Sequence, residues 1–124
     1  MEEKILVFEV EDQEIVRKIQ LSARMHNMEV HPIPRTSYNQ TIGYLAGIPG
    51  PAATGAYLGA GLPEPMMVLC MPQSKLEGVL ATLRGAGVPP MPKAMLTPTN
   101  GAWKPAALLA ELRREREEFA KMRK

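Results

Sequence analysis

Four short apolar runs and four helical stretches alternate along the chain. The first run, Ile5-Leu6-Val7-Phe8-Glu9-Val10, is rich in β-formers and too short for a helix. Asp12 then offers an N-cap, and Ile15, Val16, Ile19 and Ala23 recur every three or four residues. That spacing predicts an amphipathic helix ending near His26-Asn27. Met28-Glu29-Val30-His31 reads as a second strand, stopped by Pro32 and Pro34, and the stretch Thr41–Gly47 as a short amphipathic closure. The second half repeats the order. Met66–Met71 is an apolar strand, and Ser74 is placed to cap a helix carrying Leu76, Val79, Leu80 and Leu83. Gly85 and Gly87 end that helix, and Pro89-Pro90-Met91-Pro92 leads into a short strand, Lys93–Thr97. Lys104 to about Arg123 is a final helix, with Leu108, Leu109, Leu112, Glu115/Arg116 and Phe119 along one side.

Two tandem β-α-β(α) units, residues 4–47 and 66–112, are therefore expected within one domain spanning 1–124. Val7, Ile15 and Ile19 match Val68, Leu76 and Leu80 at an offset of 61, and Thr36, Asn39 and Leu45 fall opposite Asn100, Trp103 and Leu109 at 64. Identity is slight, so the repeated order of elements carries the argument. The expected fold class is α/β (α+β). Its expected form is a ferredoxin-like sandwich with a four-stranded, mainly antiparallel sheet, helices on one face and an extra C-terminal helix. The most continuously apolar runs, the first and third, take the centre. The runs with proline, histidine and lysine take the edges. An open doubly wound parallel sheet is the alternative, because each unit also reads as a crossover. Between the units, residues 48–65 hold four glycines and four prolines and read as a flexible linker that Tyr57 and Leu58 pin to the surface.

Composition adds bounds. The chain has 124 residues, 45% hydrophobic and 23% charged, as a globular domain should be. Nine methionines partly replace the scarce aromatics as core filler. The single cysteine, Cys70, excludes an internal disulfide and sits in an apolar strand, so an inert core thiol is expected. No leader or membrane span is written in the sequence, and the expected setting is cytoplasmic. Net charge is +2, but residues 1–47 carry five basic and seven acidic groups against ten and five in 66–124.

Candidate chemistry is sparse. Gly55-Ala-Tyr-Leu-Gly59-Ala-Gly61 lacks both the sequence and the flanking elements of a phosphate loop. His26 and His31 are five residues apart, but with Glu29 alone nearby they do not make a metal site. Ser22, Ser37 and Ser74 lack a nucleophile-elbow setting. Arg113–Glu117 and Arg114–Glu118 are expected as surface helix pairs. Neither a metal nor a cofactor is expected. The basic tail 113–124 lacks the stacking aromatics of a dedicated nucleic-acid binder, so nucleic acid is a lesser expectation.

The richest stretch is Lys93-Ala-Met-Leu-Thr97-Pro-Thr99-Asn100-Gly-Ala-Trp103. Pro98 stops a strand, Asn100-Gly101 suits a turn and Pro105 suits a first helical position. Trp103 and Leu108 then stand in the hydrophobic-staple arrangement. As a joint the segment is complete. As a site, Thr97, Thr99, Asn100 and Trp103 would offer hydroxyls, an amide and an indole at a helix start to a small polar or anionic ligand.

At this motif the chain resembles an uncharacterised bacterial family, domain of unknown function 3783. The resemblance runs from Met67 to Glu118 and rests on an apolar strand followed by three features. They are the Leu76–Leu80 spacing, the run Lys93-Ala94-x-Leu96-Thr97-Pro98-Thr99-Asn100-x-x-Trp103, and the helix Leu108-Leu109-Ala110-Glu111-Leu112. Members of the family usually place threonine after the tryptophan, where this chain has Lys104-Pro105, so the proline start replaces a side-chain cap. The resemblance implies no activity, substrate or cofactor. The expected function is a non-catalytic module that senses a small ligand or self-associates as a homodimer. The competing expectations are an acylphosphatase-like hydrolase using Arg35 with Thr97, Thr99 and Asn100, and a weak nucleic-acid binder.

Overall fold

The computed structural model describes residues 2–123. Strands are β1 (Lys4–Phe8), β2 (Glu29–Pro32), β3 (Met66–Cys70) and β4 (Lys93–Met95). Helices are α1 (Gln13–Arg24), α2 (Ile42–Leu45), α3 (Leu76–Gly85) and α4 (Pro105–Met122). Short 3₁₀ turns occupy Arg35–Ser37, Gln73–Lys75 and Asn100–Ala102. Both halves run strand, helix, strand, 3₁₀ turn, helix, and the second inserts the turn Gln73–Lys75 between its first strand and helix.

Local chemistry explains most boundaries. Asp12 caps α1 by accepting from the Glu14 amide at 2.9 Å, and the helix ends before Asn27, whose φ of 57° only small polar residues and glycine adopt readily. Pro105 opens α4, and Lys104 at its cap makes no side-chain hydrogen bond, as the missing threonine predicts. Ser74 does not cap α3. It lies inside the turn Gln73–Lys75, closed by Lys75 N–H to Pro72 O at 3.0 Å, and the α-helix starts only at Leu76.

The four strands form one open sheet in the order β2-β1-β3-β4, with β1 and β3 central as expected. The pairing corrects the expected ferredoxin-like arrangement. β1 pairs with β2 in parallel and β3 with β4 in parallel, and only the central β1–β3 pair is antiparallel. The sheet is mixed, and each strand–helix–strand unit closes on itself, as the doubly wound alternative has it. A hairpin between β2 and β3 would force them together. The long stretch 33–65 that joins them imposes no such neighbour.

The layering differs too. Leu6, Phe8, Met66, Val68 and Cys70 face one side of the sheet, packed with Tyr38, Ile42, Leu108 and Leu109. Ile5, Val7, Met67 and Leu69 face the other, packed with Ile19, Ala23, Val79 and Leu83. α1 and α3 thus cover one face, while α2 and the first turns of α4 cover the other. Three layers replace the expected two. All five residues of β1 and of β3 are buried because both their faces are covered, which is why, Lys4 apart, these strands are continuously apolar rather than alternating.

Candidate functional site

The segment Lys93–Trp103 is built around the edge of β4. Leu96 N–H donates to Leu69 O at 3.0 Å and Met67 N–H to Pro92 O at 3.1 Å. The even-numbered backbone groups therefore face β3, and those of Met95 and Thr97 face outward. Asn100 meets them with its amide. Its Nδ2 donates to Met95 O at 2.8 Å and its Oδ1 accepts from Thr97 N–H at 2.9 Å, as a neighbouring strand would. In return Thr97 Oγ1 accepts from Asn100 N–H at 3.1 Å. Asn100 is buried, and its side chain closes the sheet edge. Trp103 is half-buried against the same cluster as Leu108, as the staple requires, and its carbonyl accepts from Ile42 N–H at 2.8 Å. Thr99 is exposed.

That last contact brings α2 onto the motif. Thr41 caps α2 by accepting from Tyr44 N–H at 3.2 Å, and the backbone of Gly43 lies against that of Gly101. A Cβ on Gly43 would stand 2.9 Å from Gly101 O, so this approach requires glycine. Beside the crossing opens a cleft of about 580 Å³. Leu96, Thr97 and Pro98 form one wall, and Tyr44, Ile48, Pro49 and Pro51 another. Its remaining lining residues are Thr41 and three glycines, so no charged side chain contributes. Of the four residues singled out from sequence, Thr97 alone faces this cleft. Asn100 and Trp103 hold the joint that shapes it. Gly43, Tyr44 and Ile48 escape sequence reasoning because α2 reads as a mere closure and 48–51 as linker; the uninterrupted apolar character of Ile48-Pro-Gly-Pro51 is the signal available.

Residues 48–65, expected to be flexible, form a strap tied to the first half. Asn39 Nδ2 donates to Gly55 O at 3.1 Å, and Gln40 exchanges two hydrogen bonds with the backbone of Ala53 at 2.9 and 3.1 Å. Tyr57 N–H reaches Thr36 O at 2.9 Å, and its ring continues a chain of tilted contacts, Phe8–Tyr38 at 6.0 Å and Tyr38–Tyr57 at 6.1 Å. Tyr57 pins the strap as expected, whereas Leu58 is 90% exposed and pins nothing.

The far end of the strap is clasped by Glu9. This residue ends β1 with a φ of 61°, a left-handed conformation unusual for glutamate, and its side chain is only 7% exposed. It accepts from Arg35 Nε at 3.0 Å, from Arg35 Nη2 at 2.9 Å and from Leu62 N–H at 3.0 Å. Burial pushes its carboxyl up, but the hydrogen bonds from Arg35 and Leu62 outweigh that and hold it below the ordinary 4.5. Burial and the Glu9 carboxylate together push the Tyr38 phenol up. Arg35 also donates to Glu11 at 3.0 Å, so its guanidinium lies between two carboxylates.

Other candidates have local partners. His26 bonds Thr82 Oγ1 at 2.8 Å, His31 bonds Glu29 at 3.0 Å, and no group of three metal-ligating side chains occurs among the described residues. Cys70 is buried, and desolvation pushes its thiol up to about 11 despite nearby Lys4, the chemistry of an inert core cysteine. On α4, Arg114 pairs with Glu118 at 2.7 Å and with Glu111. Arg113 reaches Glu64 at 3.2 Å rather than Glu117, and Arg116 joins the same carboxylate at 2.8 Å. No helix is long and apolar enough to cross a membrane among the described residues.

Residues 65–119, from β3 through most of α4, match the family described as Domain of unknown function (DUF3783), the family that the Lys93–Trp103 motif resembles. No curated protein and no solved structure matches the chain significantly.

Proposed function

We propose that this chain is a non-catalytic binding module whose ligand is a small, uncharged and largely apolar molecule held in the cleft between α2, the strap and Thr97–Pro98. The observation that carries the reading is the lining: about 580 Å³ enclosed by proline, leucine, isoleucine, glycine, tyrosine and two threonines, with no charge to hold an anion or a cation. Two hydroxyls already engaged with the backbone, those of Thr41 and Thr97, leave one donor each to orient a polar end of the ligand. This turns the expected polar ligand into an apolar one, because the amide of Asn100 is committed to the strand edge. A cytoplasmic setting is part of the same reading.

Indole, uncharged and with one polar N–H, is a suitable probe. Titrated into labelled protein at millimolar concentration, it is expected to shift the amide signals of Gly43, Leu96 and Gly101 and to raise Tm. Ile48→Arg, at a position 42% exposed, should leave the fold intact and abolish both responses. Shifts of equal size in Ile48→Arg, or none in the unaltered chain, would overturn the reading.

Self-association is the second reading, and the distal half of α4 favours it. Beyond Arg113 the helix is exposed throughout, with Phe119 at 62% and Met122 at 82%. The β4 edge does not favour it, since Asn100 occupies the outward groups of Met95 and Thr97. The hydrolase and nucleic-acid readings find less support. Arg35 is held by Glu9 and Glu11, and Arg113, Arg114 and Arg116 are all engaged by glutamates.

A further inference from the structure

The motif begins with Lys93, which the cleft leaves unused. Lys93 is the first residue of the edge strand β4, and it lines a groove of about 500 Å³ that shares no lining residue with the cleft at Thr97. Pro90, Met91 and Pro92 form one wall of the groove, and Leu112 and Phe119 of α4 form the other. Every one of these residues lies inside the segment 65–119 that matches the family, whereas the cleft depends on α2 and the strap outside it.

The amine of Lys93 is in an unusual position for a lysine. It is half-buried, its one hydrogen bond runs from Nζ to Met91 O at 3.1 Å, and it forms no ion pair among the described residues. Two charged groups face the groove, both from α4. Arg116 is engaged by Glu64 at 2.8 Å, and Glu115 lines the groove without forming an ion pair to Lys93. A carbonyl satisfies one N–H of an ammonium and gives it no counter-charge. Burial therefore disfavours the protonated form and lowers the pKa of Lys93 from its ordinary value, so that neutral amine is more available here than on a solvated lysine.

We propose that Lys93 is a nucleophilic lysine that condenses with an aldehyde whose small apolar body lies in the groove between Pro90–Pro92 and Phe119. The nitrogen lone pair attacks the carbonyl carbon, the new C–N bond forms, and the nitrogen gives up a proton as the carbonyl oxygen gains one, leaving a carbinolamine. Loss of that hydroxyl with the second nitrogen proton releases one water and leaves the imine. No oxidant or reductant enters the step.

The test uses the whole chain, benzaldehyde as the probe and cyanoborohydride to trap imines as stable secondary amines, with modified lysines mapped by peptide mass spectrometry at neutral pH. Lys93 is expected to be modified severalfold faster than the exposed Lys104 and Lys121. The preference should shrink with formaldehyde, which has no apolar body, and in Phe119→Ala, a substitution at an exposed position that leaves the fold unchanged by circular dichroism. Equal modification of Lys93, Lys104 and Lys121 would overturn the nucleophilic assignment. A preference of the same size with formaldehyde, or in Phe119→Ala, would overturn the groove as its binding site. Indole binding at the cleft is read separately, since Ile48→Arg does not touch this groove.

Discussion

After β2 the chain makes the 3₁₀ turn Arg35–Ser37 and enters a four-residue helix; after β4 it makes the turn Asn100–Ala102 and enters one of 18 residues. The two joints share their order of parts and differ in chemistry. The first is held by charge, with Arg35 gripped by Glu9 and Glu11 and the strap fastened to the same carboxylate at Leu62. The second is held by a neutral amide, with Asn100 bridging Met95 O and Thr97 N–H. Charge tolerates solvent and suits a joint whose partner, the strap, lies on the surface. The second joint must close a strand edge, and only a side chain with adjacent donor and acceptor can mimic a neighbouring strand. Position 36, opposite Asn100 in the offset of 64, holds a threonine that offers no such pair.

The sharpest break of this comparison is Asn100→Ala against Thr36→Ala. Removing the amide leaves a backbone donor and an acceptor without partners, so Asn100→Ala should cost about 3 kcal/mol in denaturant unfolding. Thr36, exposed and contributing its carbonyl rather than its side chain, should cost less than about 0.5 kcal/mol. Equal losses would mean that the two joints bear similar loads.

Gly43→Ala comes next, because a Cβ there meets backbone rather than a flexible side chain. About 2 kcal/mol of destabilisation is expected as α2 is pushed off the second joint. At Gly101 a Cβ would stand 3.5 Å from Leu96 Cδ1, an ordinary contact, so Gly101→Ala should be nearly neutral by the same measurement. A neutral Gly43→Ala would show that the crossing of the joints is loose.

Acid separates the joints more gently. The pKa of Glu9 is lowered in the folded state, so its contribution is fully present above the ordinary 4.5 and disappears as pH falls through the lower folded value. Below pH 4.5, the protection factor of Leu62 N–H in hydrogen exchange should fall while that of Thr97 N–H, bonded to an amide that does not titrate, is kept. Parallel loss of protection at both sites would contradict a charge-held and a neutral joint. The smallest effect is expected from salt. The pairs of Arg114 with Glu111 and Glu118 are largely exposed, so raising ionic strength should leave Tm nearly unchanged.

Much of the frame was legible in the sequence. Periodicity located the four strands and four helices, Asp12 and Pro105 marked two helix starts, and Trp103 with Leu108 marked the staple, because each signal is local and acts within a few residues. Continuous apolarity also identified β1 and β3 as central. What periodicity does not carry is which neighbour a strand takes or how many of its faces are covered. Those follow from long-range packing, and here each unit paired with itself in parallel and α2 and α4 covered the second face. Ser74 missed its cap because Pro72 set up a 3₁₀ turn first.

The site divides the same way. The sequence by itself marked a strand-to-helix joint at Pro98, Asn100-Gly101, Trp103 and Pro105, since proline, Asn-Gly and the staple dictate backbone geometry locally, and it offered Thr97, Thr99, Asn100 and Trp103 as a site on that joint. Only the tertiary structure committed the Asn100 amide to the edge of β4, brought Gly43 against Gly101 and turned a glycine- and proline-rich linker into the wall of a cleft. Those outcomes depend on contacts between residues tens of positions apart, and chain connectivity alone places no constraint on them.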